Sequence, residues 1–305
     1  MTTATSKFGA YLMQPLGSDL LIACGNDPAN ENGSQIFRSA DGVTFTHEYT
    51  PVEQGSLVDG QLVGSEWWCC GIDPTEDWSL GNLYKRSSAG MWTKTRTLPN
   101  VIHTFGLWHD GTSIYVAVGA HIGDNATWRG RVLRSTDGGA TWTAAEVNNY
   151  RCYDVMGFDG RLYAIGYDWT GSTYTRDLHV SADAGATWSK INGVAPATKP
   201  RLVVFDGKLV VIQSSLTGVY VIQAGGTLIS YTAPFTLVNQ WNAMADGGDG
   251  YLYSLASDGV WRTSNFTDWQ YVVDTGNLIS LVTWPGVGVM VSEMGTAARI
   301  LKVVI

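Results

Sequence analysis

Apolar runs of strand length, each broken by a polar turn, recur from one end of the chain to the other, and no segment reads as an amphipathic helix. Runs at 9–16, 55–58, 102–108, 153–158, 201–205, 242–246 and 278–284 each close on a hairpin turn. Five of these turns are Asp-Gly: Asp59-Gly60, Asp110-Gly111, Asp159-Gly160, Asp206-Gly207 and Asp249-Gly250. Gly17-Ser18 and Pro285-Gly286 hold the corresponding places in the first and last units. Behind each run the pattern predicts a second strand, a loop, a third strand, a second kind of turn and a fourth strand. Seven hairpins predict seven four-stranded units, with six as the alternative count. The last unit, 278–305, supplies only three strands, at 278–284, 288–293 and 299–305, so residues 2–7 are expected to add its fourth. The expected fold is all-β, one domain over 1–305. Its units fall at roughly 8–50, 51–100, 101–148, 149–195, 196–236, 237–275, and 276–305 plus 1–7.

The second kind of turn carries a motif. Ser135-Thr136-Asp137-Gly138-Gly139-Ala140-Thr141-Trp142 returns as Ser181-Ala182-Asp183-Ala184-Gly185-Ala186-Thr187-Trp188. Weaker copies begin at Ser39, with Asp41 and Phe45, at Ser87, with Trp92, and at Ser264, with Trp269. The leading serines at 39, 87, 135 and 181 are spaced by 48, 48 and 46 residues, the period of one four-stranded blade. The next step spans 83 residues, about two repeats, and 220–227 sits where the degenerate copy belongs. In each copy the Ser hydroxyl and Asp carboxylate can bind turn amides, glycine supplies positive φ, and the aromatic ring re-enters the sheet as an anchor. Ser39, Asp41, Ser135, Asp137, Trp142, Ser181, Asp183 and Trp188 are therefore assigned structural roles. The motif resembles the Asp-box, or BNR repeat, of sialidase-like β-propellers. That resemblance implies a β-propeller whose box turns lie away from the functional face, in enzymes and non-enzymes alike.

Composition narrows the partners. The 305 residues are 45% hydrophobic and only 15% charged, enough to bury a large core. A net charge of −8 argues against nucleic acid or an anionic membrane as partner and favours neutral or cationic ligands. Residues 1–10 lack a basic stretch followed by an apolar run, and nothing approaches the ~20 apolar residues of a membrane span. The expectation is a soluble protein without a signal peptide, in a virion or in the cytoplasm, with a homo-oligomer left open. Cys24, Cys69, Cys70 and Cys152 have no CxxC spacing and read as buried thiols, the vicinal pair pointing to opposite faces of a strand.

Candidate chemistry lies in the loops after the second strands. Aligned on a shared glycine, they read Gly25-Asn26-Asp27, Gly71-Ile72-Asp73, Gly119-Ala120-His121 and Gly166-Tyr167-Asp168, which sets Asp27, Asp73, His121 and Asp168 at equivalent positions of four consecutive units. In propellers these loops share a face with the connections entering each inner strand, where binding sites are found. The candidate ligand-binding set is Asp27, Asp73, Trp78, His121, Trp128, Arg129, Arg151, Asp168, Trp169, Arg201 and Trp241, with Tyr150, Tyr174 and His103 nearby. Carboxylates and amides beside aromatic rings suit a glycan, whose hydroxyls take hydrogen bonds while its C–H faces lie on the rings. The plainer reading is that each Asp caps its own turn.

Sialidases announce a substrate-binding arginine with a Phe/Tyr-Arg-Ile-Pro segment, and the corresponding stretch 9–15 here has no arginine, so that mechanism is not implied. Arg129, Arg151 and Arg201 could still form a cationic pocket, with Tyr150 or Tyr153 and Glu146 nearby. If the chain is an enzyme, Asp27, Asp73 and Asp168 are the candidate catalytic carboxylates of a glycosidase, which needs two such groups roughly 5 Å or about 6.5–9.5 Å apart. Hard oxygen donors at Asp27, Asn30, Glu31 and Asn32 would suit Ca²⁺ but lack the Asp-x-Asp-x-Asp-Gly order, so no metal and no cofactor is expected. His47, His109 and His179 read as structural. A compact propeller with eroded boxes and no sialidase arginine resembles BNR-repeat proteins of phage tail and virion gene clusters. The resemblance implies a non-enzymatic virion or appendage component, for receptor binding or decoration, presenting a glycan- or protein-binding face to glycans or assembly proteins. The alternatives are a glycoside hydrolase or polysaccharide lyase using loop carboxylates, and an intracellular assembly scaffold.

Overall fold

The computed structural model describes residues 2–4, 9–25, 33–74, 76–77, 79–122, 127–199, 201–293 and 298–303. Among them every regular element is a strand, and none is a helix able to cross a membrane. The strands form seven antiparallel sheets of four, the blades of a β-propeller. After β1 (Thr2–Ala4), the first blade is β2 (Ala10–Leu16), β3 (Asp19–Cys24), β4 (Gln35–Ser39) and β5 (Thr46–Tyr49). The second is β6 (Gln54–Val63), β7 (Glu66–Pro74), β8 (Leu80–Arg86) and β9 (Trp92–Pro99). The third is β10 (Val101–His109), β11 (Ile114–Ile122), β12 (Thr127–Ser135) and β13 (Thr143–Asn148). The fourth is β14 (Arg151–Phe158), β15 (Arg161–Trp169), β16 (Tyr174–Ser181) and β17 (Ser189–Ile191). The fifth and sixth are β18 (Val203–Phe205) to β21 (Leu228–Thr232) and β22 (Met244–Asp246) to β25 (Trp269–Asp274). In the seventh, β26 (Leu278–Trp284), β27 (Gly288–Glu293) and β28 (Ala298–Val303) are completed by β1, with Thr3 opposite Arg299. The N-terminal strand thus fills the expected place, over residues 2–4.

Packing separates two compact units, Met1–Thr50 with Lys199–Ile305, and Pro51–Thr198. Within the second, β11 shows why the sequence reads as continuous apolar runs. Ile114, Val116, Val118 and Ala120 join a core with Trp68, Leu83 and Leu133, while Tyr115 and Ala117 face the other way into a core with Val132, Val155 and Leu162. Both faces of the strand are dry, so alternation between apolar and polar residues gives way to apolar residues throughout. In the first unit, Met13, Leu20 and Ile22 pack with Trp284, Met290 and Ile300. All four cysteines are buried and none is in a disulfide, and burial pushes the Cys152 thiol well up.

One expected turn is corrected. Asp59-Gly60 lies inside β6, and the hairpin turns instead at Gly64, φ 61°. Gly60 serves a close approach, because a Cβ there would stand 2.7 Å from the Trp67 ring. The Asp59 carboxylate accepts the Leu107 amide at 2.6 Å, tying the second blade to the third. The motif turns form as read: Ser135 Oγ donates to Asp137 Oδ1 and accepts the Gly139 amide, both at 2.8 Å, and Asp137 Oδ1 accepts the Thr141 amide at 2.9 Å. Ser181 and Asp183 repeat the scheme.

Candidate functional site

The Gly-x-Asp alignment survives as strand geometry. Asp73, His121 and Asp168 are each the penultimate residue of β7, β11 and β15. Asp27 and Trp78 lie outside the described residues, and of His121 only the backbone position is described.

Asp73 adopts a left-handed backbone, φ 57°, which L residues other than Asn, Asp and Gly avoid. Glycine at position 55 makes room for it: a Cβ there would lie 2.8 Å from the Asp73 carbonyl oxygen. The Asp73 amide donates to His103 Nδ1 at 3.2 Å, and the Asp73 carboxylate lies 3.8 Å from the same nitrogen. An Nδ1 that accepts puts the proton of the neutral ring on Nε2. The Asp73 side chain is 68% open to solvent on one side. The protein on its other side nevertheless pushes the carboxyl above the usual carboxylate range, while Arg151 pulls it back.

From His103 a run of rings crosses the third and fourth blades. The imidazole lies parallel to Trp128 at 6.2 Å. Trp128 is 5.5 Å from Tyr150, and Tyr150 is 5.0 Å from Tyr174. Tyr174 stacks on Tyr167 at 4.8 Å and meets Trp169 at 4.5 Å. The Arg151 guanidinium sits in this wall, 4.8 Å from the Trp128 ring centre and 4.9 Å from that of Tyr150. No ion pair joins Arg151 to a carboxylate among the described residues, and its Nε is buried without a hydrogen-bond partner. Burial pushes the Tyr153 hydroxyl up, and Arg151 beside it works in the opposite direction. A hydrogen bond with Tyr150 pushes Tyr174 up.

Strand irregularity positions two of these rings. The innermost strands carry bulges, between Leu57 and Asp59, Thr104 and Gly106, and Cys152 and Asp154. The extra residues of the third and fourth blades are Phe105 and Tyr153, whose rings meet at 4.5 Å. A bulge re-aims a side chain out of the regular alternation. Strict period-2 reading therefore left Phe105 out and could not aim Tyr153, and a sequence signal for the bulge is lacking.

The remaining candidates are sorted by alternation. Arg129 points away from Trp128 and reaches Glu146 at 3.5 Å, where Arg131 joins it at 3.3 Å. Asp168 is turned away from Tyr167 and Trp169, and accepts the Asn149 amide at 2.7 Å. Arg201 and Trp241 belong to the first unit, where both are buried and the guanidinium lies 5.2 Å from the indole. Asp73, Trp128, Arg151 and Trp169 are thus brought into one wall with His103, Tyr150, Tyr153, Tyr167 and Tyr174.

No protein-family profile matches the sequence, and no curated relative matches it. Solved structures do match in fold. A catalytically inactive histidine variant of virginiamycin B lyase from Staphylococcus aureus, with quinupristin, is 14% identical with a TM-score of 0.69, over 98% of this chain and 96% of that one. A streptogramin B lyase is 13% identical with a TM-score of 0.66, over 98% and 96%. The extracellular domain of a one-component system from B. thetaiotaomicron is 11% identical with a TM-score of 0.68, over 98% of this chain and 41% of that one. At such identities the likeness shows the fold alone, a β-propeller. The expectation of a non-enzymatic virion or appendage component is nevertheless corrected, because two neighbours that match the whole chain in fold are lyases. The phage-tail resemblance finds no support among them.

Proposed function

We propose that the chain is a polysaccharide lyase acting on uronate residues, at the wall around Arg151. The observation that carries this reading is a guanidinium held among aromatic rings with no carboxylate paired to it among the described residues, beside a carboxyl whose pKa is raised. Elimination from a uronate needs a cation for the carboxyl group, a base for the acidic C–H beside it, and a proton for the leaving oxygen. Arg151 would hold the carboxyl group and the negative charge that develops on it. Asp73, a stronger base than an ordinary carboxylate, would take the proton. The C–H electron pair becomes the C=C bond, the C–O bond on the next carbon breaks, the leaving oxygen takes a proton from solvent water, and the proton on Asp73 returns to solvent. Trp128, Tyr150, Tyr174 and Trp169 offer flat apolar surface to the flanking sugars. The lyase neighbours support the reaction class. The net charge of −8 disfavours a dense polyanion, so a largely methyl-esterified polyuronate is the substrate class assigned.

Hydrolysis by paired carboxylates is less well supported, since Asp168 is turned off the wall. We also infer kinship with Asp-box propellers from the repeated Ser-Asp turns at Ser39, Ser135 and Ser181.

Incubation with esterified and free polyuronates tests the reading, followed by the ultraviolet absorbance of the unsaturated product and by reducing ends. The expected result is both signals together. Arg151→Met and Asp73→Asn should each lower kcat/KM by about 100-fold or more. Reducing ends without absorbance would mean hydrolysis and overturn the proposal, as would full activity in either variant.

A further inference from the structure

On the face of the fourth blade turned away from the aromatic wall, a second group of side chains converges. In the β15–β16 ladder Gly166 stands opposite Asp177, Ala164 opposite His179 and Asp168 opposite Thr175. Opposed residues of an antiparallel pair share a face, so Asp168, Asp177 and His179 project to the same side. One carboxylate oxygen from each Asp and one ring nitrogen of His179 lie within 4.8 Å of one another. Asp177 and His179 are each only 6% exposed.

The arrangement is incomplete as a set of hydrogen bonds. Among the described residues, His179 Nε2 is buried and has no partner, and neither has Asn148 Nδ2. Both nitrogens point at Gly166, where a Cβ would lie 2.8 Å from the first and 2.4 Å from the second. The Asn148 amide is oriented by its own oxygen, which accepts the Tyr150 amide at 3.1 Å. A buried imidazole nitrogen without a partner is unfavourable in a purely structural cluster. The groups facing His179 are Asp168, Asp177 and Lys190. Lys190 Nζ lies 2.6 Å from Asp177, but its side chain is 50% exposed and can swing out to solvent.

We propose that Asp168, Asp177 and His179 bind one divalent transition-metal cation, with the Lys190 ammonium as its competitor for Asp177. Two carboxylates and an imidazole suit Mn²⁺ or Zn²⁺, whereas Ca²⁺ and Mg²⁺ prefer oxygen donors throughout. Ligand atoms around a tetrahedral ion with bonds of about 2.1 Å stand roughly 3.4 Å apart, so closing the site takes a movement of about 1 Å. Asn148 Nδ2 would then donate to a water on the metal, in the manner of groups that orient metal-bound solvent elsewhere. The site stands independently of the reading of Arg151.

Calorimetric titration of the full chain, stripped with chelator, with MnCl₂ and separately with ZnCl₂ tests the proposal. One equivalent should bind. His179→Gln should weaken binding tenfold or more, and Lys190→Gln should tighten it several-fold by removing the competing charge. The second variant changes an exposed side chain, so it remains informative if His179→Gln fails to fold. Absence of binding by either metal, binding unchanged in His179→Gln, or weaker binding in Lys190→Gln would each overturn it, the last marking Asp177–Lys190 as a plain ion pair.

Discussion

Asp73 holds a conformation that a residue keeps only when something else requires it. A non-glycine residue in the left-handed region costs about 1 kcal/mol, and such strain concentrates at working positions. The native arrangement gives the strain a purpose: it brings the Asp73 amide onto His103 Nδ1 and leaves the carboxyl open to solvent beside Arg151. Asp73→Gly should therefore leave thermal stability unchanged or raise it by up to about 1 kcal/mol, while the lyase activity proposed for the chain is lost. Chemical denaturation run beside the activity assay checks both. A loss of more than about 1 kcal/mol would make Asp73 a structural cap. The Gly-x-Asp spacing made Asp73 legible in the sequence, because strand ends of equal register repeat at the blade period. The same spacing could not tell the aim of Asp168 from that of Asp73, since Asp73 is turned by its left-handed backbone while Asp168 keeps the regular alternation of β15. His179 read as structural because burial and an unmet nitrogen are properties of the packed face, visible only when β15 and β16 are paired.

The turns between third and fourth strands are fastened by one serine and one aspartate each. Ser135 is 2% exposed, and its hydroxyl takes up the Gly139 amide, which would otherwise be buried unpaired. The Thr141 hydroxyl and amide hold the Asp137 carboxylate down at about 2, and Asp183 is held at about 2 by Thr187 in the same way. Both lie below the ordinary value of 3.8, so the carboxylates contribute stability that is complete above pH 4 and lost as the pH falls toward 2. The urea midpoint should accordingly drop between pH 4 and pH 2, and the drop should shrink in the Asp137→Asn, Asp183→Asn double variant. An undiminished drop would assign the acid sensitivity to other carboxylates. These turns were the most legible elements of the chain, because their chemistry is local and complete within eight residues. Asp59-Gly60 misled for the complementary reason. Its glycine answers to the Trp67 ring and its carboxylate to the Leu107 amide of the neighbouring blade, neither of which a local pattern contains.

For the whole molecule, the decisive pairing is between the first strand and the last. β1 lies along β28 with Thr2 opposite Ile300 and Ala4 opposite Ala298, so a blade begun at one terminus is finished by the other. The sequence showed this as a deficit, a final unit one strand short, and the surplus stretch at the other end matched it. Without β1, β28 would become an exposed edge, with a row of unpaired amides and carbonyls open to another chain. Its inner side would remain packed, since Ile300 belongs to the core formed by Met13, Ile22 and Trp284. Loss of β1 should therefore loosen the seventh blade from its edge rather than abolish it. Removing residues 1–8 is expected to lower stability by about 1–3 kcal/mol, from a few ladder hydrogen bonds at about 0.5–1.5 kcal/mol each. Hydrogen exchange should quicken along β28 first and in β27 less, and association at high protein concentration should rise. If exchange along β28 stays slow after truncation, packing of Ile300 alone secures the blade, and the pairing of the termini is not what holds it.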